Sequence, residues 1–241
     1  MKMRFVLPLL CLCAVVHAKA DPFQGWKEAI TPTEETATQT YRKFWQPRFK
    51  QKLAQAKRDG KKIDIVLCGD SITHNWDGMR QYKETFKGHT VLNLGFGGDR
   101  TNHTLWIINN KDLWKNLDPK LVVLMIGTNN TPRHSPEATI EGIRLCVEGL
   151  KKQAPNAKIV LFAIFPRGVP NNPLRVKINK INAEIAKFSD GKRVFFENIN
   201  SRLMDSEGKV DKTMRPDLLH PVTAGYVIWA DALKKYLKEI K

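Results

Sequence analysis

Ile63-Asp-Ile-Val-Leu-Cys-Gly-Asp-Ser-Ile-Thr73 is the stretch whose reading decides the fold. A run of β-formers from Ile63 to Leu67 stops abruptly at Gly69, Asp70 and Ser71. An apolar run of this length without alternation predicts a strand buried on both faces, as in a parallel sheet. Gly69 allows a turn that a side chain would block. Ser71 then falls just past the carboxyl end of a central strand, where open α/β sheets hold their ligands. The position suits a nucleophile. It equally suits a serine at the start of the next helix, with Asp70 as the turn former.

Working outward, four more runs repeat the pattern. Thr90–Leu94, Leu121–Ile126, Lys158–Ile164 and Arg193–Glu197 read as short strands. Between them lie helical stretches over Gly78–Phe86, around Leu105, Ile107 and Ile108, over Ser135–Gln153 and over Leu174–Phe188. Ser135-Pro136 has the cap followed by proline that opens a helix. Pro221 opens a last one, apolar at Val227, Ile228, Leu233 and Leu237. Upstream, residues 19–32 read as an extended lead-in. Thr33–Arg58 reads as a helix with Phe44, Trp45, Phe49 and Leu53 on its core face. Strands alternating with helices predict a parallel sheet covered on both sides. The expectation is a three-layer α/β/α domain on five parallel strands.

The chain has 241 residues, enough for one such domain with a full core. Lys2 and Arg4 precede an apolar stretch from Phe5 to Val16 and then Val16-His-Ala18. This is the charged, apolar and small-residue order of a secretory signal peptide, too short to span a membrane comfortably. Cleavage is expected after Ala18, with Ala20 as the second choice, leaving 19–241 as a single exported domain with a helical lead-in. The small residues that precede a lipid-modified cysteine are missing at Cys11 and Cys13. Cys68 and Cys146 read as small buried hydrophobes, not as a disulfide or metal ligands.

The formal charge is +16. That excess favours anionic surfaces, such as acidic polysaccharide or lipid headgroups. Aromatic residues are not interleaved with the basic ones as a base-stacking platform requires, so no specific nucleic acid is expected.

Three glycine-bearing segments follow strands and so meet at one rim: Gly69-Asp-Ser71, Gly97-Gly98 and Gly127-Thr-Asn129. Asp217-Leu-Leu-His220 stands before the last helix, and an Asp and a His three apart can share one helical turn. Together they offer a nucleophile, a base, an orienter and oxyanion donors, the set that acyl transfer needs. His74 is the rival base, close to Ser71 in sequence. His220 is preferred because it has an orienter. Asp70 and Asp99 read as braces for their loops. Gly95-Phe-Gly97 begins like a dinucleotide fingerprint, but Arg100 replaces its third glycine. Asn102 and Asn129 head glycosylation sequons, and a glycan on Asn129 would obstruct the site.

With these residues in place, the sequence resembles the SGNH (GDSL) hydrolase superfamily, within it the branch of platelet-activating-factor acetylhydrolase catalytic subunits. Gly69-Asp-Ser71, Asn93-Leu-Gly-Phe-Gly-Gly-Asp99, Gly127-Thr-Asn-Asn130 and Asp217-x-x-His220 match four family blocks in order. Leu105-Trp106, Pro166-Arg-Gly168 and Asn172-Pro-Leu-Arg175 extend the likeness, which covers about Lys62 to Leu237. The resemblance implies a flavodoxin-like five-stranded sheet and a Ser71–His220–Asp217 triad. It also implies oxyanion donors from the Ser71 and Gly98 backbone and the Asn129 side chain, with no metal and no cofactor. The acetylhydrolase subunits dimerise, which leaves a homodimer open. The expected activity is a secreted serine esterase cleaving short, acetyl-like esters, most plausibly on carbohydrate. A lysophospholipase or thioesterase and a non-catalytic binder of anionic glycan are the alternatives.

Overall fold

A computed structural model describes residues 25–34 and 39–240. The signal-peptide reading of 1–18 lies outside the described residues. Five parallel strands form one sheet: β1 (Ile65–Gly69), β2 (Val91–Gly95), β3 (Leu121–Met125), β4 (Lys158–Phe162) and β5 (Val194–Glu197). Their order is β2-β1-β3-β4-β5, the flavodoxin-like arrangement, with the switch point at β1. Registers run Ile65↔Val91 through Gly69↔Gly95 on one side and Ile65↔Leu121 through Gly69↔Met125 on the other. The carboxyl ends of β1, β2 and β3 are therefore level.

Ten helices accompany the strands among the described residues: α1 (Trp26–Ile30), α2 (Gln39–Asp59), α3 (Ser71–Trp76), α4 (Arg80–Thr85), α5 (Thr101–Ile108), α6 (Lys111–Trp114), α7 (Pro136–Gln153), α8 (Pro173–Ile185), α9 (Asn200–Leu203) and α10 (Thr223–Glu239). Strand side chains alternate between two cores. Val66, Cys68, Leu92, Val122, Leu124 and Ile159 point toward α2, α5, α7 and α8. Ile65, Leu67, Val123, Met125, Val160 and Phe162 point toward α3 and α10. Both faces being covered explains the continuous apolar runs.

The second core is aromatic. Trp76 of α3 stacks on Trp229 of α10, with ring centroids 4.4 Å apart, and on Tyr226 at 5.7 Å. Phe165 and Phe162 meet Trp229 edge-on at 5.1 and 5.7 Å. The buried Tyr226 hydroxyl donates to the Ile72 carbonyl at 2.8 Å, so its polar end is satisfied as well. This seam fixes the helix that starts at Ser71 against the helix that follows His220.

Several boundaries differ from the sequence expectation. The lead-in is not wholly extended: Trp26–Ile30 is helical, and its Ala29 is buried with Ala29 O accepting from Thr101 Oγ1. Thr33 is not helical and α2 begins its described course at Gln39. The helix placed at Gly78–Phe86 is α4, Arg80–Thr85, and a further short helix, α3, precedes it and starts at Ser71 itself. Pro221 sits in a bridge to Met214, and α10 begins at Thr223. Phe44 and Val227, expected inside, are 68% and 49% exposed; Trp45, Phe49, Tyr226 and Trp229 carry those faces. A helix turns about 100° per residue, so neighbours of a true core position are easily mistaken for it. Cys68 and Cys146 are free and buried, and burial pushes the Cys68 thiol up to about 12.

Trp229→Ala should cost about 3–5 kcal/mol, because it leaves a cavity where α3, α10 and the sheet meet. Urea unfolding followed by circular dichroism gives the value.

Candidate active site

The rim of the sheet brings the expected segments together. Ser71 is the first residue of α3, and Asp70 is its cap, with Oδ1 accepting from Ile72 N at 2.9 Å. Capping by Asp satisfies one of the orphan donors of a helix start. Gly69 is needed for close approach. A Cβ there would lie 2.2 Å from Thr73 Oγ1 and 2.4 Å from Met125 O, so only glycine lets α3 fold back on the strand. Gly98 follows β2 with φ of 83°, a backbone that glycine takes without penalty. Asn129 follows β3, and its Nδ2 donates to Asp99 O at 3.0 Å. An amide nitrogen carries two hydrogens, so one remains for a ligand.

The fourth segment arrives from the far end of the chain. Ser71 Oγ lies 2.8 Å from His220 Nε2, across 149 residues of sequence. His220 Nδ1 lies 2.8 Å from Asp217 Oδ2. A carboxylate only accepts, so Nδ1 carries the proton and Nε2 is left to accept from the serine hydroxyl. Asp217 Oδ1 accepts from the backbone N–H of Leu219 and of His220, each at 2.9 Å. This is an Asx-type turn, not the helical turn expected from the spacing. The reason is Leu218, whose φ of 51° is the only left-handed non-glycine backbone among the described residues. Arg215 N donates to His220 O at 2.7 Å and Val222 N to Thr213 O at 2.9 Å, closing the turn from outside.

Electrostatics separate the two histidines. Burial drives the His74 imidazole down to about 4, with Arg48 and Lys52 adding to the effect and Asp77 opposing it. His74 shares no hydrogen bond with Ser71; the serine hydroxyl turns to His220. Burial works against the Asp217 carboxylate, but the hydrogen bonds from His220 and Leu219 outweigh it and hold it below its ordinary value. Asp70 is fully buried, and burial pushes its carboxyl up to about 7 against the pull of the Ile72 N–H and Arg167.

Polar side chains behind the rim lock its loops. Asn93 Nδ2 donates to Thr73 O and Asp77 Oδ1, while its Oδ1 accepts from Gly95 N. Arg48 reaches Gly95 O at 2.8 Å and Asp77 at 2.9 Å, fastening α2 to the end of β2. Asp99 accepts from Trp45 Nε1 at 2.7 Å. Asn130 accepts from Thr101 N and pairs with His134, whose Nε2 meets Glu28 of α1 at 3.1 Å. Sequence reasoning missed Arg48, Thr101 and His134 of this set. Asn93 and Asn130 were visible as members of the family blocks, and Arg167 through its Pro-Arg-Gly setting. Asn102, the other sequon, is buried at 2% exposure. Among the described residues no group of His, Cys, Asp or Glu is disposed to hold a metal ion, and no helix is long and apolar enough to cross a membrane.

A family model described as GDSL-like lipase/acylhydrolase matches residues 67–228, which spans every segment of the rim. The chain belongs to this family. It is thus a GDSL-type acylhydrolase, an ester hydrolase. Platelet-activating factor acetylhydrolase IB subunit alpha1 of Rattus norvegicus is 33% identical over 178 residues, covering 73% of this chain and 76% of that one. Subunit alpha2 of the same organism is 34% identical over 168 residues, 69% of this chain and 72% of its own. A crystal structure of a GDSL-like lipase from Bacteroides thetaiotaomicron VPI-5482 superposes with a TM-score of 0.65 at 21% identity, over 81% of this chain and 98% of its own, and shares the GDSL fold.

Asp70 gives a pH dependence with a definite sign. Its proton is held to about 7 in the folded chain and released near 3.8 in the unfolded one. Between those values the folded state binds more protons, so the contribution of Asp70 to stability falls as pH rises. Asp70→Asn keeps the cap oxygen and removes the titration. Urea midpoints measured from pH 4 to pH 7 should decline less steeply for the variant than for the wild type.

Proposed function

We propose that this GDSL hydrolase is an exported serine esterase that removes short acyl groups, acetyl above all, from polar esters such as acetylated carbohydrate. The observation that carries the mechanism is the continuous contact from Ser71 Oγ through the His220 ring to Asp217. His220 Nε2 takes the serine proton as Oγ attacks the ester carbonyl. Asp217 keeps the imidazole in the right tautomer and offsets the charge it gains. The oxyanion receives the Ser71 and Gly98 N–H groups and the free hydrogen of the Asn129 amide. Each such donor contributes on the order of 3 kcal/mol to the transition state. His220 then passes its proton to the departing alcohol, which leaves Ser71 acylated. Water, deprotonated by the same imidazole, attacks the acyl group; the acid departs and the proton returns to the serine.

Three features support the short acyl group and the polar alcohol. The relatives named above are acetylhydrolases by name. The loops that follow the strands carry no long apolar insertion, so no lid is built to enclose a lipid chain. The charge of +16 favours an acidic matrix around the substrate. Export rests on the charged start and apolar run of residues 1–18.

Hydrolysis of p-nitrophenyl acetate, butyrate and octanoate tests the activity. The wild type should show its highest kcat/KM on acetate, and Ser71→Ala should fall to the uncatalysed rate. Equal turnover by the two proteins would remove the nucleophile, and preference for octanoate would remove the short-chain reading. Export has its own check. Intact mass of the chain recovered outside the cytoplasm should begin at Lys19, and a species retaining Met1 would contradict cleavage.

A further inference from the structure

Arg167 takes no part in the acyl transfer outlined above, yet three segments of the rim meet around it. It follows β4 on the loop before α8. Its Nη1 donates to Thr128 O at 3.0 Å and lies 3.4 Å from Thr128 Oγ1, one residue ahead of Asn129. The next residue, Gly168, donates its backbone N–H to Leu218 O at 2.8 Å, in the middle of the turn that holds Asp217 and His220. Both carbonyls of this dipeptide are occupied by one buried side chain. Arg175 Nε donates to Arg167 O at 3.0 Å and Arg175 Nη2 to Gly168 O at 2.5 Å, while Arg175 Nη1 reaches Gly208 O. The Arg167 cation also interacts electrostatically with the carboxyl groups of Asp70, beside Ser71, and of Asp217.

We propose that Arg167 is a positioning residue that sets the Asn129 loop against the Asp217–His220 turn. Its side chain grips the carbonyl just before Asn129, and its backbone neighbour grips the carbonyl of Leu218. Neither of those segments pairs with the other through the sheet, because Asn129 lies past the end of β3 and the turn lies beyond β5. Lys177 holds the same loop only further on, at Thr131 O and His134 O. Arginine suits the task because its planar fork stays charged and is less strongly hydrated than an ammonium. The inference rests on the acyl-transfer reading of Ser71, and it concerns transition-state geometry, not substrate affinity.

The test compares Arg167→Met, Arg167→Gln and Arg167→Lys with the wild type on p-nitrophenyl acetate. An organophosphorus reagent that reacts with Ser71 counts the competent sites in each preparation. A displacement of roughly 1 Å at a reacting centre can cost about 100-fold. The Met and Gln variants should accordingly lose between about 10-fold and 100-fold in kcat per titrated site, with KM changed little. Using two variants lets one decide if the other does not fold. The Lys variant keeps one donor for Thr128 O and should regain part of the loss. In an Asn129→Ala background the same Arg167 substitutions should cost little more, since residues acting through one another are not additive. Wild-type kcat per titrated site in the Met or Gln variant, an effect confined to KM, or full additivity with Asn129→Ala would each overturn the inference. Turnover by Ser71→Ala would instead overturn the acyl-transfer reading beneath it.

Discussion

The contact on which the site depends is the stack of Trp76 on Trp229, closed by the Tyr226 hydroxyl on the Ile72 carbonyl. Ser71 at the start of α3 and His220 just before α10 come from distant parts of the chain. Nothing local brings them within hydrogen-bond reach. The aromatic seam does, because Trp76 of α3 stacks on Trp229 and Tyr226 of α10 and all three rings are buried. A flat, rigid pair of rings holds its partner helices at one separation with little loss of side-chain entropy. The sheet supplies the other constraint. Because β1 lies between β2 and β3 in level register, the turns that carry Gly98 and Asn129 leave the sheet on either side of the one that carries Ser71.

Charge is arranged around this geometry in a graded way. Close behind the serine the chain is dry and the buried groups favour their neutral forms: His74 as imidazole and Asp70 as a carboxyl that ionises only near neutrality. At the mouth, Asp217 is half exposed and kept ionised by donors aimed at it. The carboxylate placed to support the His220 ring is thus one that solvent and backbone both help to keep charged. Two histidines near one serine are told apart by what surrounds them, not by their distance along the chain.

Much of this was legible in the sequence because buried parallel strands leave uninterrupted runs such as Leu121–Met125, and the glycines that end them mark the rim. Cap chemistry at Ser135-Pro136 located α7 to the residue. The short elements were harder. α1, α6 and α9 are four or five residues long, and hydrophobic periodicity cannot be read over so short a span. Phe44 was misread because it neighbours Trp45, and Val227 because it neighbours Tyr226. Ser71, Asp217 and His220 stood out in the sequence, yet the turn that holds the last two did not. Leu218 adopts a backbone that leucine seldom takes, and only the bonds from Gly168, Arg215 and Asp217 around it make that conformation worth its cost. The clamps at Arg48 and Lys177 were equally hidden, since a basic side chain that grips a distant carbonyl looks in sequence like any solvated one.

The left-handed leucine between acid and base has one more consequence. Of the bonds around it, those from Arg215 and Asp217 are local, but the one from Gly168 comes from the loop after β4, so the Asp217–His220 turn is completed by a distant segment. A chain in which that loop has not yet met the turn therefore carries the serine and the histidine without the full set of bonds that hold Asp217 against the imidazole. On the acyl-transfer reading, ester cleavage would then appear late in folding, after these two loops have met.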